Sequence, residues 1–157
     1  MLNQPYMNGK DNKIIVDGLT KVLADTFVLY LKTHSFHWNV EGPHFQSLHT
    51  LFMTQYTELW NATDEIAERI RALGSYAPNS WQSMAKVTSL QETGQTPDWK
   101  AMLSMLANDN ELIVGTMKPV LEAAQNAGDE VTADLMIQRI TAHEKAAWML
   151  RSTAKGS

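Results

Sequence analysis

Polar and apolar residues alternate along most of this chain with the spacing that places apolar residues on one face of an α-helix. Between residues 13 and 38 this face is formed by Ile15, Leu19, Val22, Thr26 and Leu29. Gly42 and Pro43 then interrupt the pattern. The sequence therefore predicts a first helix over residues 13–38, followed by a turn.

The second periodic stretch has the most regular pattern. Its apolar positions repeat every seven residues, at Phe45, Phe52, Leu59, Ile66 and Leu73, and Leu48, Thr63 and Ile70 form a second row. This spacing predicts a helix of about eight turns that packs lengthwise against its neighbours. Gly74 is expected to end this helix, and Glu65 and Arg69 have the spacing of an ion pair in its last turns.

A long polar segment separates this helix from the next apolar pattern. Residues 75–96 are interrupted by Pro78 and Gly94, although residues 81–86 are expected to form a short helix. A link of this length in a compact domain usually crosses a helix bundle from one end to the other. The segment is therefore interpreted as a crossover connection.

The second half of the chain predicts two further long helices. Thr96-Pro97-Asp98 predicts a helix start, with Thr96 as the candidate N-cap, proline in the first turn and then an acid. The apolar face then runs from Leu103 to Ala124, with a helix-kinking Pro119 inside it. After Gly128, a last helix is expected from Asp129 to about Ser152. Two short connections and one long one predict an all-α four-helix bundle whose crossover carries a short extra helix.

Length and composition indicate one soluble domain. The 157 residues predict a single domain over residues 13–154, with a flexible polar arm over residues 1–12 and a tail over residues 155–157. Cysteine is absent, which excludes disulfides and thiolate metal sites, and the net charge of −4 disfavours a surface that coats DNA. With no long apolar run and no recognisable signal peptide, we expect a cytoplasmic protein without a membrane partner.

Two histidines and two acids are candidate metal ligands. His37 ends the first predicted helix and His49 lies early in the second, so the turn between them brings the two close. Asp64 and Glu68 lie one turn apart beside the apolar face, where unpaired carboxylates would be costly. Imidazole and carboxylate together suit Fe(II). Taken alone, each histidine is more simply a structural residue, and the acids are more simply a solvated face.

The spacing of these residues constrains how they could bind one ion. His49 and Asp64 share the second helix and are fifteen residues apart. This spacing separates them by roughly 22 Å along the helix axis. One chain cannot bring all four ligands to one ion without breaking that helix. If they form one site, two chains must build it.

Several neighbouring residues have both a structural and a functional interpretation. His34 is a structural residue or a supporting group near the metal, and Met53 is interpreted as packing because a thioether binds Fe(II) poorly. Trp38 is interpreted either as a core aromatic residue or as an electron donor that traps oxidising equivalents. Asp129 and Asp134 stabilise the start of the last helix through its dipole, or line a cation-entry pore in a symmetric shell.

Three motifs carry a family resemblance. HWN, G-P-x-F-x-x-L-H and D-E-I-A-E-R-I-R-A-L-G resemble the Dps family of mini-ferritins, and the likeness extends from about Ile14 to Arg151. The resemblance implies a ferritin-like four-helix bundle and a hollow homo-dodecamer with iron sites at its two-fold interfaces. It implies that His37 and His49 bind iron from one chain and that Asp64 and Glu68 bind it from the partner. It also implies an acidic pore near Asp129 and Asp134.

The resemblance further implies a ferroxidase and iron store that protects DNA and the cell under stress. Family members usually oxidise Fe(II) with hydrogen peroxide and retain the ferric mineral. They commonly carry an acid four residues after the second histidine, where this chain has Met53. We therefore expect one well-occupied iron per site, with zinc as a competing ion.

Two alternative functions remain at this point. One is a DNA-binding nucleoid protein with a weak ferroxidase site, and the other is a shell that displays a surface to other cells. The chain termini carry few basic residues, namely Lys10, Lys13, Arg151 and Lys155. Any DNA binding is therefore expected to be weak, although a repeating shell would multiply weak contacts.

Overall fold

The computed structural model describes residues 4–156, which form five helices and no strand. The helices are α1 (Gly9–Asn39), α2 (Phe45–Ala72), α3 (Trp81–Ala85), α4 (Trp99–Asn126) and α5 (Glu130–Ala154). The predicted all-α bundle with a helix-bearing crossover is confirmed. The first three residues of the predicted arm and the last residue of the predicted tail lie outside the described residues.

The four long helices pack in pairs around one apolar core. Helix α1 packs against α2 and α4, and α4 packs against α5, whereas α2 and α5 contact each other much less. Large side chains with no exposed surface fill the centre, including Leu19, Leu29, Phe52, Ile66, Leu106 and Ile113. Burial of apolar surface on this scale is the main source of folding free energy in a helical bundle. Within residues 4–156, no helix combines the length and apolarity needed to cross a membrane.

The first helix begins at Gly9 rather than at Lys13, so part of the predicted arm is helical. Asn8 caps this helix because its side chain accepts a hydrogen bond from the backbone N–H of Asp11 at 2.8 Å. Met7 is buried, and the amide of Asn12 donates to the carbonyl of Leu73 at 3.0 Å. These contacts fix the start of α1 against the end of α2.

A glycine ends α2, and an aspartate side chain caps the start of α4. Gly74 follows α2 with a φ of +91°, a conformation that glycine adopts without steric cost. At α4, Asp98 rather than Thr96 is the cap, because its side chain accepts a hydrogen bond from the N–H of Ala101 at 2.8 Å. Helix α4 continues through Pro119.

The predicted ion pair between Glu65 and Arg69 is absent among the described residues. Arg69 instead bonds Asp129 at 2.7 Å and Thr132 at 2.9 Å, both near the start of α5. The Asp129 side chain has no exposed surface, so its charge requires a buried partner, whereas the exposed Glu65 is solvated without one. The tertiary contact therefore replaces the local one.

The crossover is held to α1 by a buried carboxylate. Asp25 has no exposed surface and accepts hydrogen bonds from the Thr88 hydroxyl, the Ser89 N–H and the Ser89 hydroxyl, each at 2.6 Å. Three donors satisfy a charge that would otherwise be costly to bury. This contact fixes the crossover where it passes from α3 towards α4.

Candidate metal site

A short turn brings the two predicted histidine ligands together. His37 lies in the last turn of α1 and His49 in the second turn of α2. Between them, Gly42 has a φ of +120°, which residues with a side chain rarely adopt. The two imidazole rings stack with their centroids 3.7 Å apart and their planes within 16°. The predicted proximity of His37 and His49 is therefore confirmed.

Each of these rings is held by the backbone of the other residue. Nδ1 of His37 lies 2.6 Å from the carbonyl oxygen of His49, and Nδ1 of His49 lies 2.7 Å from the carbonyl oxygen of His37. A carbonyl only accepts hydrogen bonds, so both Nδ1 atoms must carry the proton. In the neutral rings, each Nε2 then keeps its lone pair. A histidine that donates through one nitrogen to a carbonyl is oriented to bind a metal through the other.

Aromatic side chains surround the histidine pair. Phe45 is 42% exposed rather than part of the core, and its ring stacks on His49 at 4.9 Å. His34 stacks on Tyr56 at 3.8 Å, and its Nδ1 is hydrogen-bonded to the Tyr30 hydroxyl at 2.8 Å. Burial lowers the pKa of His34, and the nearby His37 lowers it further. His34 therefore remains neutral at pH 7 and already uses one nitrogen.

The two predicted acidic ligands lie elsewhere on α2 and face solvent. Asp64 and Glu68 are both exposed, so the expectation that they sit in an unfavourable apolar setting is wrong for the isolated chain. Among the described residues neither forms an ion pair: Arg69 bonds Asp129, and Arg71 bonds the Ser75 carbonyl. Their carboxylates are thus accessible to an ion or to a second chain.

One chain does not assemble the four ligands. Helix α2 is unbroken from Phe45 to Ala72, which maintains the roughly 22 Å between His49 and Asp64. Across residues 4–156, no group of three or more histidine, aspartate and glutamate side chains is placed to hold a metal ion. The structure thus brings His37 and His49 together and leaves Asp64 and Glu68 apart from them.

Met53 and Trp38 are more exposed than a core position allows. Met53, one turn after His49, is 43% exposed, so its side chain packs only partly against the isolated chain. Trp38 is 60% exposed, and its ring centroid lies 4.3 Å from that of His34. Both side chains are therefore largely solvent-exposed in the single chain, and Trp38 adjoins the rings around the histidine pair.

Comparison with known proteins identifies the family. A family model for the ferritin-like domain matches residues 16–155. A Bacillus anthracis protein named DNA protection during starvation protein 2 is 40% identical over 141 residues, which cover 90% of this chain and 97% of that protein. The chain belongs to the Dps family of ferritin-like proteins.

Solved Dps structures share the whole fold. The crystal structure of a Dps protein from Bacillus brevis matches with a TM-score of 0.91 at 32% identity, over 95% of this chain and 100% of that one. A Dps protein from Vibrio cholerae O1 matches with a TM-score of 0.92 at 29% identity, over 99% and 98% of the two chains. It is described as a member of a broad superfamily of ferritin-like diiron-carboxylate proteins. The resemblance predicted from the sequence motifs is confirmed.

The two acids predicted to line a pore of this Dps chain differ in environment. Asp129 is fully buried, bonds Arg69 and caps α5 by accepting a hydrogen bond from the Thr132 N–H at 3.0 Å. Asp134 is exposed and accepts a hydrogen bond from Gln138 at 2.6 Å. Asp129 therefore has a structural role in this fold, and Asp134 is the one of the two that is accessible to solvent.

Sequence reasoning missed two features of this Dps chain. Tyr30 was not singled out, although Tyr30, His34 and Trp38 are spaced by four residues and share one face of α1. A polar network was also missed, because its members lie on three helices; Arg139, His143 and Asn110 are buried, whereas Glu58 is half-exposed. Arg139 on α5 binds Glu58 on α2 through two nitrogens, and His143 on α5 bonds Asn110 on α4 at 2.8 Å.

Proposed function

We propose that this Dps protein is a ferroxidase and iron store. It binds Fe(II) between two chains, oxidises it preferentially with hydrogen peroxide, and retains ferric mineral inside a hollow homo-dodecamer. Membership of the family supports iron storage and DNA protection as general functions. The observation that carries the proposal is the histidine pair, in which reciprocal hydrogen bonds to backbone carbonyls leave Nε2 of both rings free.

Each ligand has a distinct role in this proposal. His37 and His49 bind Fe(II) through Nε2 from one chain, while Asp64 and Glu68 bind it from the two-fold partner. Carboxylate oxygens are hard ligands, and their negative charge favours Fe(III) over Fe(II), which assists loss of the electron. Zn(II) accepts the same types of donor, so it is the expected competitor for the site.

Protection of DNA follows from this chemistry without DNA binding. Consumption of Fe(II) and hydrogen peroxide removes the two reagents that together generate hydroxyl radicals. The basic residues near the termini are partly neutralised, since Lys13 pairs with Asp17 at 2.7 Å and Arg151 pairs with Glu111 at 2.8 Å. We therefore expect the protein to bind DNA weakly or not at all. Its expected location is the cytoplasm, and it would associate with the nucleoid only if it bound DNA.

The first test is an anaerobic Fe(II) titration of the assembled protein, followed by hydrogen peroxide. Ferric absorbance should rise rapidly, the iron should remain soluble and protein-bound, and dissolved oxygen should act more slowly than peroxide. Because Met53 supplies no carboxylate, we expect about one tightly bound Fe(II) per site. The exposed position of Met53 makes Met53→Glu a matched variant, which should increase the amount of iron bound.

A protein-free solution is the control for this titration. Oxidation no faster than in that control, with iron precipitating, would contradict the proposal. If the protein failed this oxidation test and shifted linear DNA in a gel at physiological salt, the DNA-binding alternative would replace the proposed function. Two fully occupied iron ions per wild-type site would leave the ferroxidase intact but would contradict the role assigned to Met53.

Asp134 and Asp129, near the start of α5, are expected to have different roles: Asp134 in the entry of iron and Asp129 in the stability of the fold. Asp134→Asn should slow Fe(II) uptake and change the free energy of unfolding by less than about 0.5 kcal/mol, because Asp134 is exposed. Asp129→Asn should lower that free energy by roughly 3 kcal/mol, because Arg69 would lose its buried charged partner. Stopped-flow uptake and urea unfolding measure the two effects. Slower uptake in a stable Asp129→Asn shell, with normal uptake in Asp134→Asn, would reverse the assignment.

A further inference from the structure

A tyrosine and a histidine form a hydrogen-bonded pair beside the candidate metal site. The Tyr30 hydroxyl lies 2.8 Å from Nδ1 of His34, one helical turn along α1. When the neutral His34 ring carries its proton on Nε2, the Tyr30 hydroxyl donates to Nδ1 and has an acceptor for its proton already in place. Tyr30 is half-buried, and its ring contacts those of Tyr56 and Trp60, with centroids 6.3 and 5.0 Å away.

A short series of ring contacts links this pair to the iron ligands. His37 meets Tyr56 edge-on, with centroids 5.1 Å apart, and Tyr56 stacks on His34 with centroids 3.8 Å apart. Tyr30 is therefore reached from the ligand His37 through Tyr56. Aromatic rings in contact provide a favourable route for an electron, because it does not have to cross saturated chain or water.

The proposed reaction requires a second electron donor. Hydrogen peroxide accepts two electrons when its O–O bond breaks, whereas one Fe(II) supplies only one on becoming Fe(III). With Met53 in place of a carboxylate, the site is expected to hold one iron firmly. Unless another group supplies the second electron, the first one alone converts peroxide into hydroxide and a hydroxyl radical.

We infer that Tyr30 supplies this second electron and that His34 accepts its phenolic proton, an inference that rests on the proposed function. Fe(II) and Tyr30 each give one electron to hydrogen peroxide, whose O–O bond breaks to form two hydroxide ions. The proton of Tyr30 moves to Nδ1 of His34. The products are Fe(III), two hydroxide ions, a neutral tyrosyl radical and protonated His34, so atoms and charge balance.

A second Fe(II) completes the cycle. It reduces the tyrosyl radical, and the proton returns from His34 to the Tyr30 oxygen, which restores the starting pair. The net reaction is then the oxidation of two Fe(II) by one peroxide, although the site holds one iron at a time. Tyr30 thus stores one oxidising equivalent between the arrivals of two iron ions.

Neighbouring aromatic residues are less suited to this role. The Tyr56 hydroxyl forms no hydrogen bond with any residue between 4 and 156, so its oxidation has no protein acceptor for the phenolic proton. Trp38 lies against the His34 ring, but its indole N–H forms no hydrogen bond with any residue between 4 and 156, so its oxidation has no protein acceptor for the proton. Among the aromatic side chains described around the histidine pair, Tyr30 is the one that combines a proton acceptor, partial burial and contact with the ring series.

The test compares Tyr30→Phe with two matched variants. Tyr56→Phe removes a hydroxyl from the same ring cluster, and Tyr76→Phe removes one from a side chain that is 87% exposed. Each protein is loaded anaerobically with one Fe(II) per chain, mixed with hydrogen peroxide and frozen for electron paramagnetic resonance. Ring-deuterated tyrosine narrows the signal of a tyrosyl radical and leaves that of a tryptophan radical unchanged.

The expected result is a tyrosyl signal of wild-type size in Tyr76→Phe and loss of most of it in Tyr30→Phe. Tyr56→Phe changes a ring on the electron route, so it should slow the formation of the signal without abolishing it. Tyr30→Phe should also release more hydroxyl radical to a spin trap, and radical formation in the wild type should slow in D₂O. An undiminished tyrosyl signal in Tyr30→Phe would overturn the inference, and so would a wild-type signal that deuterated tyrosine does not narrow. In either case, rapid oxidation of iron would still uphold the proposed function. If the wild type oxidised iron no faster than buffer, both would be overturned.

Discussion

Two inactive variants of this protein should regain ferroxidase activity when they are assembled together. The first variant carries His37→Ala and His49→Ala, and the second carries Asp64→Asn and Glu68→Gln. Alone, each variant lacks half of every proposed site. In a mixed two-fold pair, the histidines of the second chain meet the acids of the first and complete one of the two sites. Random mixing should therefore restore about a quarter of the wild-type sites.

The expectation follows from the geometry of α2 and the turn before it. The histidine pair is built within one chain by reciprocal hydrogen bonds, and the unbroken helix holds Asp64 away from it. Activity is measured as the initial rate of ferric absorbance per chain after co-refolding, with Fe(II) binding measured separately. Assembly is checked by size-exclusion chromatography, so that a failure to mix is detected.

A second mixture provides the matched control. Chains that carry His37→Ala alone and His49→Ala alone damage the same half of the site, so mixing them cannot bring two intact histidines into one chain. This mixture should remain inactive. Activity there, or no recovery in properly mixed shells of the first experiment, would show that the ligands are not divided between chains as proposed.

Acid should destabilise the bundle through the buried His143. Burial lowers the pKa of His143 to about 3, and the adjacent Arg139 contributes to the decrease. Nδ1 of His143 donates to the Asn110 side-chain oxygen at 2.8 Å, while Nε2 accepts from Arg139 at 3.1 Å. The contact with Arg139 requires the neutral ring, because a protonated Nε2 has no lone pair with which to accept. The folded protein therefore excludes a proton that the unfolded chain binds below about pH 6.5.

The direction of the pH effect follows from this difference in bound protons. Below about pH 6.5 the unfolded state binds one proton more than the folded state, so the free energy of unfolding falls as pH falls. The slope approaches about 1.4 kcal/mol per pH unit until the folded-state pKa is reached. Above pH 6.5 neither state protonates this ring, and His143 adds no pH dependence.

His143→Gln should weaken this acid dependence because glutamine does not titrate. Urea unfolding at several pH values, at one protein concentration, compares the slopes of the wild type and the variant. The variant is expected to be less stable than the wild type near pH 7 and to lose less stability on acidification. Equal slopes would mean that the ring is already protonated in the folded state or that another group controls the effect.

The fold was largely predictable because its signals are local and repeated. Apolar spacing located all four long helices, and glycines marked the ends of two of them. The boundaries that were wrong depended on side-chain hydrogen bonds. Asn8 caps α1 before the predicted start, and Asp98 rather than Thr96 caps α4. Spacing alone does not reveal which polar residue will accept the bond.

The candidate site was predictable only in part, because its details depend on distant residues. The proximity of His37 and His49 follows from helix spacing and a short turn, but their reciprocal hydrogen bonds require the register of α1 against α2. The sequence pattern placed Asp64 beside the apolar face, whereas the structure leaves it exposed. Asp129 has a structural role because of Arg69, which is 60 residues earlier.

The anchoring of the two histidines has a consequence for how this protein can change over generations. Both rings are oriented by backbone carbonyls, which every amino acid supplies, so substitutions around the pair leave its anchors in place. An insertion or deletion in the turn over residues 40–44 would shift both carbonyls and misalign both rings at once. A lineage that keeps this chemistry is therefore freer to vary the neighbouring side chains than the length of that turn.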